Sequence, residues 1–216
     1  MTWPWQLVCF DIDGTLTQGH GWRFLAERTG RLTEYDTTNR AFLAGRIGED
    51  DHLRDLLNLA VGLERTEIEA ILELTPKIGG ITATVADLHD RGSRVAILSH
   101  NPEYVCDWYR RRFGFDDAAG TPGTRFEGGR VATYGAVRAS KELGLSALLE
   151  RAGADAERTV HVGDGWADAA IFPRVGAGVA LNTRMPEVRQ AADLALDLTD
   201  LRTLPGLLEP LVPRVV

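Results

Sequence analysis

Short, mainly apolar runs recur along this sequence, and each is followed by a polar residue, a glycine or an acidic residue. They occupy residues 7–10, 95–98, 159–162, 178–181 and 194–196. Runs of this length are typical of parallel strands that are covered on both faces. Segments with apolar residues at helical spacing separate most of the later runs, and a glycine pair at 128–129 indicates a hairpin over 126–131. This alternation predicts an α/β protein with a Rossmann-like parallel sheet and helices on both faces.

Directly after the first run, the pattern becomes helical. Apolar residues at helical spacing predict four helices, the second of them over 33–44, and Thr66 with Glu69 predicts a capping box for the fourth. Four helices inserted after the first strand indicate a small helical cap over residues 17–78, on an α/β core formed by residues 1–16 and 79–216. The alternative is that these helices pack into one continuous α/β core.

Two carboxylates, Asp11 and Asp13, follow the first predicted strand. The alternation of side chains along an extended chain directs both to the same side. Neighbouring carboxylates repel each other unless a cation, a proton or a developing positive charge compensates them, so this pair indicates a ligand site. Gly14 allows a sharp turn after them, and Thr15 offers a hydroxyl to the turn or to a ligand. Taken alone, the motif also fits an acidic cap between a strand and a loop.

Polar residues also follow two other apolar runs. Ser99 and His100 precede a helix that we expect to open with Asn101 as its cap, and the free N–H groups of such a helix can bind an anion. Asp164 and Asp168 lie one helical turn apart, so they can share a site. Because the carboxyl ends of parallel strands meet at one edge of a sheet, we expect all these groups to converge. Ser99 alone fits an ordinary turn equally well.

Lysine is rare in this chain, which makes each lysine informative. Of 24 basic residues, only Lys77 and Lys141 are lysine. A lysine among so many arginines indicates a position that needs a compact ammonium group, although an ordinary surface lysine is the alternative. Lys141 lies on a helix predicted near 135–143. Carboxylate and hydroxyl oxygens together favour Mg²⁺, which binds substrate phosphate as well.

Composition restricts the kind of partner and the setting. The chain has 216 residues, of which 44% are hydrophobic and 25% charged, as expected for one globular unit with an insertion. Its net charge of -7 argues against a nucleic-acid partner, and no apolar stretch reaches the ~20 residues of a membrane span. Cys9 and Cys106 are isolated in the sequence, so we expect reduced, packed cysteines. With no recognisable targeting segment, a cytoplasmic protein is expected.

The order of these groups resembles the motifs of the haloacid dehalogenase superfamily of phosphatases, and within it the phosphoserine phosphatase-like branch. Residues 11–15 look like the first motif, Ser99 like the second, Lys141 like the third, and residues 163–165 with Asp168 like the fourth. The resemblance covers nearly the whole chain, and the spacing between the third and fourth motifs suits the family. It implies a haloacid dehalogenase-like core with a helical cap inserted after the first strand.

The resemblance also implies a role for each group. Asp11 would be a nucleophile that attacks phosphorus to form an aspartyl-phosphate, and Asp13 would protonate the leaving alcohol and later activate water. Ser99, the N–H of His100 and Lys141 would bind the phosphoryl oxygens. Mg²⁺ would be held by Asp11, the main-chain carbonyl of Asp13, Asp164 and, directly or through water, Asp168.

This sequence departs from the branch where substrate specificity is determined. Aligned from Asp11 without gaps, the family's serine-binding glutamate and arginine fall on His20 and near Leu56. Neither residue can pair the charges of serine. The alternative is that Arg46 or Arg54 replaces the arginine from a neighbouring turn and that Glu27 replaces the glutamate. We therefore expect His20, Arg46 and Arg54 to be the candidate substrate contacts, and free phosphoserine not to be the best substrate.

The resulting hypothesis is a Mg²⁺-dependent phosphomonoesterase that acts on a small phosphorylated metabolite. Two alternatives remain open at this point. One is a phosphotransferase that passes the phosphoryl group from the aspartate to an alcohol, and the other is a non-catalytic module that binds a phosphorylated ligand. The general acid at Asp13 and the inserted cap argue against the non-catalytic module, which needs neither.

Overall fold

The computed structural model of the protein describes residues 3–135 and 140–216. Its strands are β1 (Leu7–Phe10), β2 (Arg94–Pro102), β3 (Asp117–Thr121), β4 (Thr124–Glu127), β5 (Arg130–Tyr134), β6 (Thr159–Gly163), β7 (Ala177–Leu181) and β8 (Leu194–Leu196). Six of them form one parallel sheet in the order β3-β2-β1-β6-β7-β8, and β4 with β5 forms an antiparallel hairpin. The predicted Rossmann-like sheet and the predicted hairpin are confirmed.

Helices connect and flank these strands. Those of the described residues are α1 (Gly21–Arg28), α2 (Leu32–Leu43), α3 (Glu49–Asn58), α4 (Arg65–Leu74), α5 (Ile81–Asp90), α6 (Glu103–Phe113), α7 (Lys141–Ala152), α8 (Trp166–Ala169), α9 (Pro186–Ala191) and α10 (Leu204–Leu208). The first four follow β1 with no strand between them, as the helical pattern predicts. Within the ranges described, none of these helices combines the length and the apolar character needed to cross a membrane.

Alternate residues of β1 are buried on opposite faces of the sheet. Val8 and Phe10 belong to one apolar cluster and Leu7 and Cys9 to another, and all four are at most 1% exposed. Side chains of α5 and α6 complete the first cluster, whereas side chains of α7 complete the second. Helices therefore cover both faces of β1, which explains why its sequence is an uninterrupted apolar run.

The central strands are in register, so their carboxyl ends lie together. Phe10 of β1 pairs with Ile97 of β2 and with Val162 of β6. The residues that follow these three positions emerge at the same edge of the sheet, where ligands of such sheets bind. β2 continues as far as Pro102, which is the N-cap of α6. The prediction that Asn101 caps this helix is therefore wrong, because Asn101 is still part of the strand.

The segment that carries α1 to α4 leaves and rejoins the sheet at one place. Thr17 and Lys77 form an isolated antiparallel bridge, and the N–H of Gln18 donates to the carbonyl of Pro76 at 2.9 Å. The Lys77 ammonium group also donates to three carbonyl oxygens at the end of α4. These contacts lie at the ends of the predicted cap, residues 17–78, whose assignment as a separate unit stays a prediction.

Other predictions of local structure are corrected. Thr66 and Glu69 do not form a capping box, because Glu64 is the N-cap of α4 and makes no side-chain bond there. The helix that carries Lys141 begins at that residue, later than predicted, and residues 136–139 of the predicted helix lie outside the described residues. Both cysteines are free and buried, as expected.

Candidate active site

Lys141 is the centre of an acidic site at the carboxyl edge of the sheet. It is the first residue of α7, whose N-cap Ser140 accepts a hydrogen bond from the N–H of Leu143. Its side chain is 3% exposed, and Nζ lies 3.1 Å from Asp11 Oδ1 and 2.5 Å from Asp168 Oδ1. Burial acts to lower the pKa of this ammonium group, but the two carboxylates outweigh burial and raise that pKa. Lys141 is therefore a permanently charged contact of Asp11.

Asp168 contacts groups of the protein with both of its oxygens. Oδ1 accepts a hydrogen bond from Lys141 and lies 2.7 Å from Nε2 of His161. Oδ2 accepts from the N–H groups of Asp164 and Gly165, at 3.1 and 3.0 Å. Burial acts to raise the pKa of Asp168, but Lys141 and His161 hold it below its ordinary value. These contacts hold Lys141 and the turn after β6 in place, so Asp168 is a positioning residue.

Three carboxylates lie close enough together to hold a metal ion. Asp11, Asp164 and Asp168 each place one oxygen within 4.8 Å of the others. Gly14 permits this approach, because its φ is +76° and a Cβ there would lie 2.1 Å from Asp164 Oδ2. Burial and the neighbouring carboxylates raise the pKa of Asp164 to about 8. Ionising the whole group near neutral pH therefore calls for a cation, and buried carboxylate oxygens suit Mg²⁺.

Asp13 is held where β1, β2 and α1 meet. Its Oδ1 accepts a hydrogen bond from the N–H of Gly21 at 2.6 Å, and its Oδ2 accepts one from Nδ2 of Asn101 at 3.1 Å. Gly21 leaves room for this contact, since a Cβ there would lie 2.6 Å from Asp13 Oδ1. Asp11 and Asp13 line the same cavity, in keeping with the alternation of side chains.

The end of β2 supplies a hydroxyl group and an imidazole. Ser99 is 6% exposed, and its Oγ accepts hydrogen bonds from the main-chain and side-chain nitrogens of Asn101, at 3.3 and 3.1 Å. His100 is largely buried, and its Nε2 atom has no hydrogen-bond partner among the described residues. Burial and the nearby charge of Lys141 lower the pKa of His100 to about 4. The ring is therefore neutral near pH 7.

A cavity of about 580 Å³ adjoins these groups. Its volume is in the range of sites that bind small molecules. One wall is formed by the sheet edge, and it includes every predicted site residue of the core. The opposite wall comes from α1, α2, α3 and the loop before α1, and consists of His20, Trp22, Asn39, Phe42, Leu43, Glu49, His52, Leu53 and Leu56.

The structure brings one of the three candidate substrate contacts to this cavity. His20 lines it, next to the predicted arginine position at Leu56. Arg46 and Arg54 are absent from its described lining, and both are exposed at the surface. Arg54 pairs there with Asp51 at 2.5 Å. Neither arginine lines the cavity in the described residues, and the replacement of the family's arginine by either one stays a prediction.

Two residues of the site were not singled out from the sequence. His161 is fully buried within the apolar run 159–162 and contacts Asp168. A polar residue inside a buried strand is a usable signal, because buried polar groups need partners. Asn101 was assigned to a helix cap, whereas its amide donates to Asp13 across the site. That contact depends on how far β2 extends, which local sequence does not specify.

These features define a Rossmann-like α/β protein with an acidic ligand site at the carboxyl ends of its central strands. The model of the haloacid dehalogenase-like hydrolase family matches residues 5–176. This match covers most of the chain, so the chain belongs to the haloacid dehalogenase-like hydrolase family.

Within that family, the chain is similar to phosphoserine phosphatases. It is 28% identical to phosphoserine phosphatase SerB2 of Mycobacterium tuberculosis over 194 residues, which are 88% of this chain and 47% of that protein. It is 26% identical to the phosphoserine phosphatase of Methanocaldococcus jannaschii over 204 residues, 92% of this chain and 95% of that protein. The chain thus spans about half the length of the first relative and nearly all of the second.

Solved structures share the fold at lower sequence identity. A HAD family hydrolase of Salmonella enterica serovar Typhi superposes with a TM-score of 0.85 at 19% identity, covering 95% of this chain and 72% of that one. A phosphoserine phosphatase with a phospho-aspartyl intermediate analogue superposes with a TM-score of 0.79 at 22% identity, covering 94% and 98%. At these identities the likeness establishes the fold.

Proposed function

We propose that this protein is a Mg²⁺-dependent phosphatase that hydrolyses phosphomonoesters of small metabolites through an aspartyl-phosphate on Asp11. The observation that carries the proposal is the position of Asp11, which is buried beside Lys141 at 3.1 Å and beside the carboxylate of Asp164. A carboxylate can attack a phosphate dianion only where cations cancel their repulsion. Sequence similarity to phosphoserine phosphatases supports the same class of reaction.

Asp11 and Asp13 divide the chemical steps between them. An oxygen of Asp11 bonds to phosphorus while the bond from phosphorus to the leaving alcohol breaks. Asp13 gives a proton to the leaving oxygen, and then takes a proton from the water that attacks the phosphoenzyme. The hydrogen bonds from Gly21 and Asn101 hold the Asp13 carboxyl group in place for both transfers.

The same residues account for the metal and for phosphate binding. Asp11, the main-chain carbonyl of Asp13 and Asp164 would hold Mg²⁺, which supplies charge neutralisation when bound. Asp168 keeps Lys141 in position and can orient water near the ion. The phosphoryl oxygens are bound by Lys141, the Ser99 hydroxyl and the N–H of His100.

The four helices of residues 17–78 serve as a lid over the site. Three of them, α1, α2 and α3, line the cavity together with the sheet edge, and α1 contacts Asp13 through Gly21. A lid excludes bulk water, which strengthens electrostatic interactions with the bound phosphate. Phosphate monoesters are among the slowest compounds to hydrolyse without a catalyst, with enhancements of up to ~10²¹, so strong charge compensation is required.

A phosphate-release screen over a panel of metabolite monoesters tests this proposal. The protein with Mg²⁺ is expected to release inorganic phosphate from at least one monoester, and chelation of the metal should abolish the release. A phosphotransferase would instead form a new ester when an acceptor alcohol is added. Tight binding of a phosphorylated ligand without any release of phosphate would contradict the proposal and favour a non-catalytic module.

A further inference from the structure

Glu49 is a carboxylate in the helical wall of the cavity that has no Lys or Arg partner among the described residues. It is the first residue of α3, it lines the cavity, and its side chain is 53% exposed. Among the described residues, no Lys or Arg nitrogen lies within 4.0 Å of it, and the basic nitrogen nearest to it is Nδ1 of His100 at 3.9 Å. That imidazole is neutral near pH 7, because its pKa is about 4. Burial and the neighbouring carboxylates Asp50 and Glu142 raise the pKa of Glu49, so a cation brought beside it from the cavity would favour its charged form.

The described lining of the cavity offers no free cation to a carboxylate on the substrate. Lys141 is the one Lys or Arg that lines it within residues 3–135 and 140–216. Its ammonium group is already shared by Asp11 and Asp168. A substrate carboxylate would be buried without a cation and close to Glu49, which disfavours it strongly.

Aromatic rings line the same cavity as Glu49. Phe42 and His52 stack in parallel with their centroids 4.3 Å apart, and both line the cavity. Trp22 lies on the same side, and Trp166 lines the cavity from the core with 49% of its surface exposed. The faces of aromatic rings attract cations, and the attraction grows when the cation leaves water. A carboxylate and aromatic rings in one cavity both attract an ammonium group.

We propose that the leaving group of the substrate carries a positively charged nitrogen and no carboxylate, with Glu49 as the residue that pairs with this nitrogen. This inference rests on the proposed phosphatase function and specifies its substrate class as amino-alcohol phosphates. A neutral sugar or polyol phosphate fits the volume of the cavity but brings no cation to Glu49. Free phosphoserine supplies the ammonium group but brings a carboxylate that has no free cation in the described lining of the cavity.

A matched pair of substrates tests the charge by itself. Choline phosphate and neohexyl phosphate have the same shape, since carbon replaces nitrogen in the second, and only the first is charged at that end. We expect kcat/KM for choline phosphate to exceed that for neohexyl phosphate by about tenfold or more, mainly through KM. Ethanolamine phosphate is expected to rank above phosphoserine by a similar factor, about tenfold.

A substitution at Glu49 tests the residue. Glu49→Gln is expected to reduce the ratio of kcat/KM for choline phosphate to that for neohexyl phosphate by about tenfold. Asp51→Asn is the matched control, because it removes one charge from the first turn of the same helix outside the described lining of the cavity. This control should leave the ratio unchanged. The comparison of choline phosphate with neohexyl phosphate in the wild type remains valid even if Glu49→Gln does not fold.

Three results would overturn this inference, and para-nitrophenyl phosphate separates them from failure of the proposed function. Equal kcat/KM for choline and neohexyl phosphates, an unchanged ratio in Glu49→Gln, or a top rank for phosphoserine would overturn the substrate class alone, provided that para-nitrophenyl phosphate is hydrolysed. If neither this general phosphatase substrate nor any member of the panel releases phosphate, both the substrate class and the phosphatase function are wrong.

Discussion

Lys141 occupies a position that admits an ammonium group but not a guanidinium group. Its nitrogen contacts two buried carboxylates, Asp11 and Asp168, from a side chain that is 3% exposed. Lys77, the other lysine of the chain, also directs one nitrogen at several oxygens at the end of α4. The planar guanidinium group of arginine cannot take the place of either ammonium group without moving the neighbouring oxygens. The scarcity of lysine among arginines was therefore a usable signal.

Replacing Lys141 by arginine tests this requirement. Lys141→Arg keeps the charge but is expected to lower kcat by roughly 100-fold or more, because the larger group displaces Asp11 from the phosphoryl group. The measurement is kcat with the best monoester of the screen, accompanied by a circular dichroism spectrum. Arg54→Lys at an exposed ion pair is the control and should have normal kcat. Near-normal kcat in Lys141→Arg would show that Lys141 takes no part in the reaction.

Single residues of the site were predictable where chain position alone determines them. Asp11 and Asp13 follow an apolar run, so strand alternation and strand ends are enough to place them on one cavity. The partners of Asp168 were not predictable, because His161 meets it only after the chain has turned through 163–165. The exposed position of Arg54 was not predictable either, since spacing along a helix does not say which face meets the cavity.

Among the elements, the strands with mainly apolar sequences were predictable, whereas β3, whose residues are small or acidic, was not. β1, β6 and β8 follow their apolar runs closely. β3 escaped prediction because its residues, Asp117–Thr121, are small or acidic and are mostly half-buried. Its pairing with β2 is interrupted by a register shift between Leu98 and Pro102, which also carries Asn101 into the site. Tertiary pairing, not local propensity, creates both features.

The end of α4 provides a stability prediction at the scale of one element. Lys77→Met removes an ammonium group that donates to the carbonyls of Leu72, Glu73 and Thr75 and that lies 5.4 Å from the centroid of the Trp108 ring. Because the group is only half-buried, we expect the free energy of unfolding to fall by about 1–2 kcal/mol. Urea denaturation measures this change.

The control for Lys77→Met is a substitution of another cation in residues 17–78, one that does not donate to the carbonyls at the end of a helix. Arg54→Met breaks an ion pair with Asp51 in which both partners are about half-exposed, so the free energy of unfolding should change little. Equal stability of Lys77→Met and the wild type would mean that the Lys77 contacts do not stabilise α4.

For the molecule as a whole, periodicity predicted the class of fold but not the order of its strands. Apolar runs and helical stripes were enough for a parallel sheet with four helices inserted after β1. The order β3-β2-β1-β6-β7-β8 places β1 beside β6, from which about 150 residues separate it in the chain. Such a pairing depends on long-range packing, which no local pattern contains.

Metal binding should stabilise the whole molecule. Burial and neighbouring carboxylates raise the pKa of Asp164 to about 8, so the single charge of Lys141 does not compensate all three carboxylates of the acidic group. At a concentration one hundred times its Kd, Mg²⁺ is expected to stabilise the fold by about 2.7 kcal/mol and to raise Tm by roughly 5–10 °C. Differential scanning fluorimetry with and without Mg²⁺ checks this shift. Asp164→Asn should shrink it, and an equal shift in that variant would contradict the assigned metal site.

The most direct test of the account is to follow the phosphoryl group in the wild type and in Asp11→Asn. An amide is nearly the same size as a carboxylate but cannot form an acyl phosphate, so only the chemistry is removed. With Mg²⁺, the wild type should release phosphate, and after acid quenching it should carry a phosphoryl group that mass spectrometry maps to the peptide containing Asp11. Asp11→Asn should do neither while keeping the wild-type circular dichroism spectrum. Wild-type turnover by folded Asp11→Asn, or a phosphoryl group on another residue, would contradict the account.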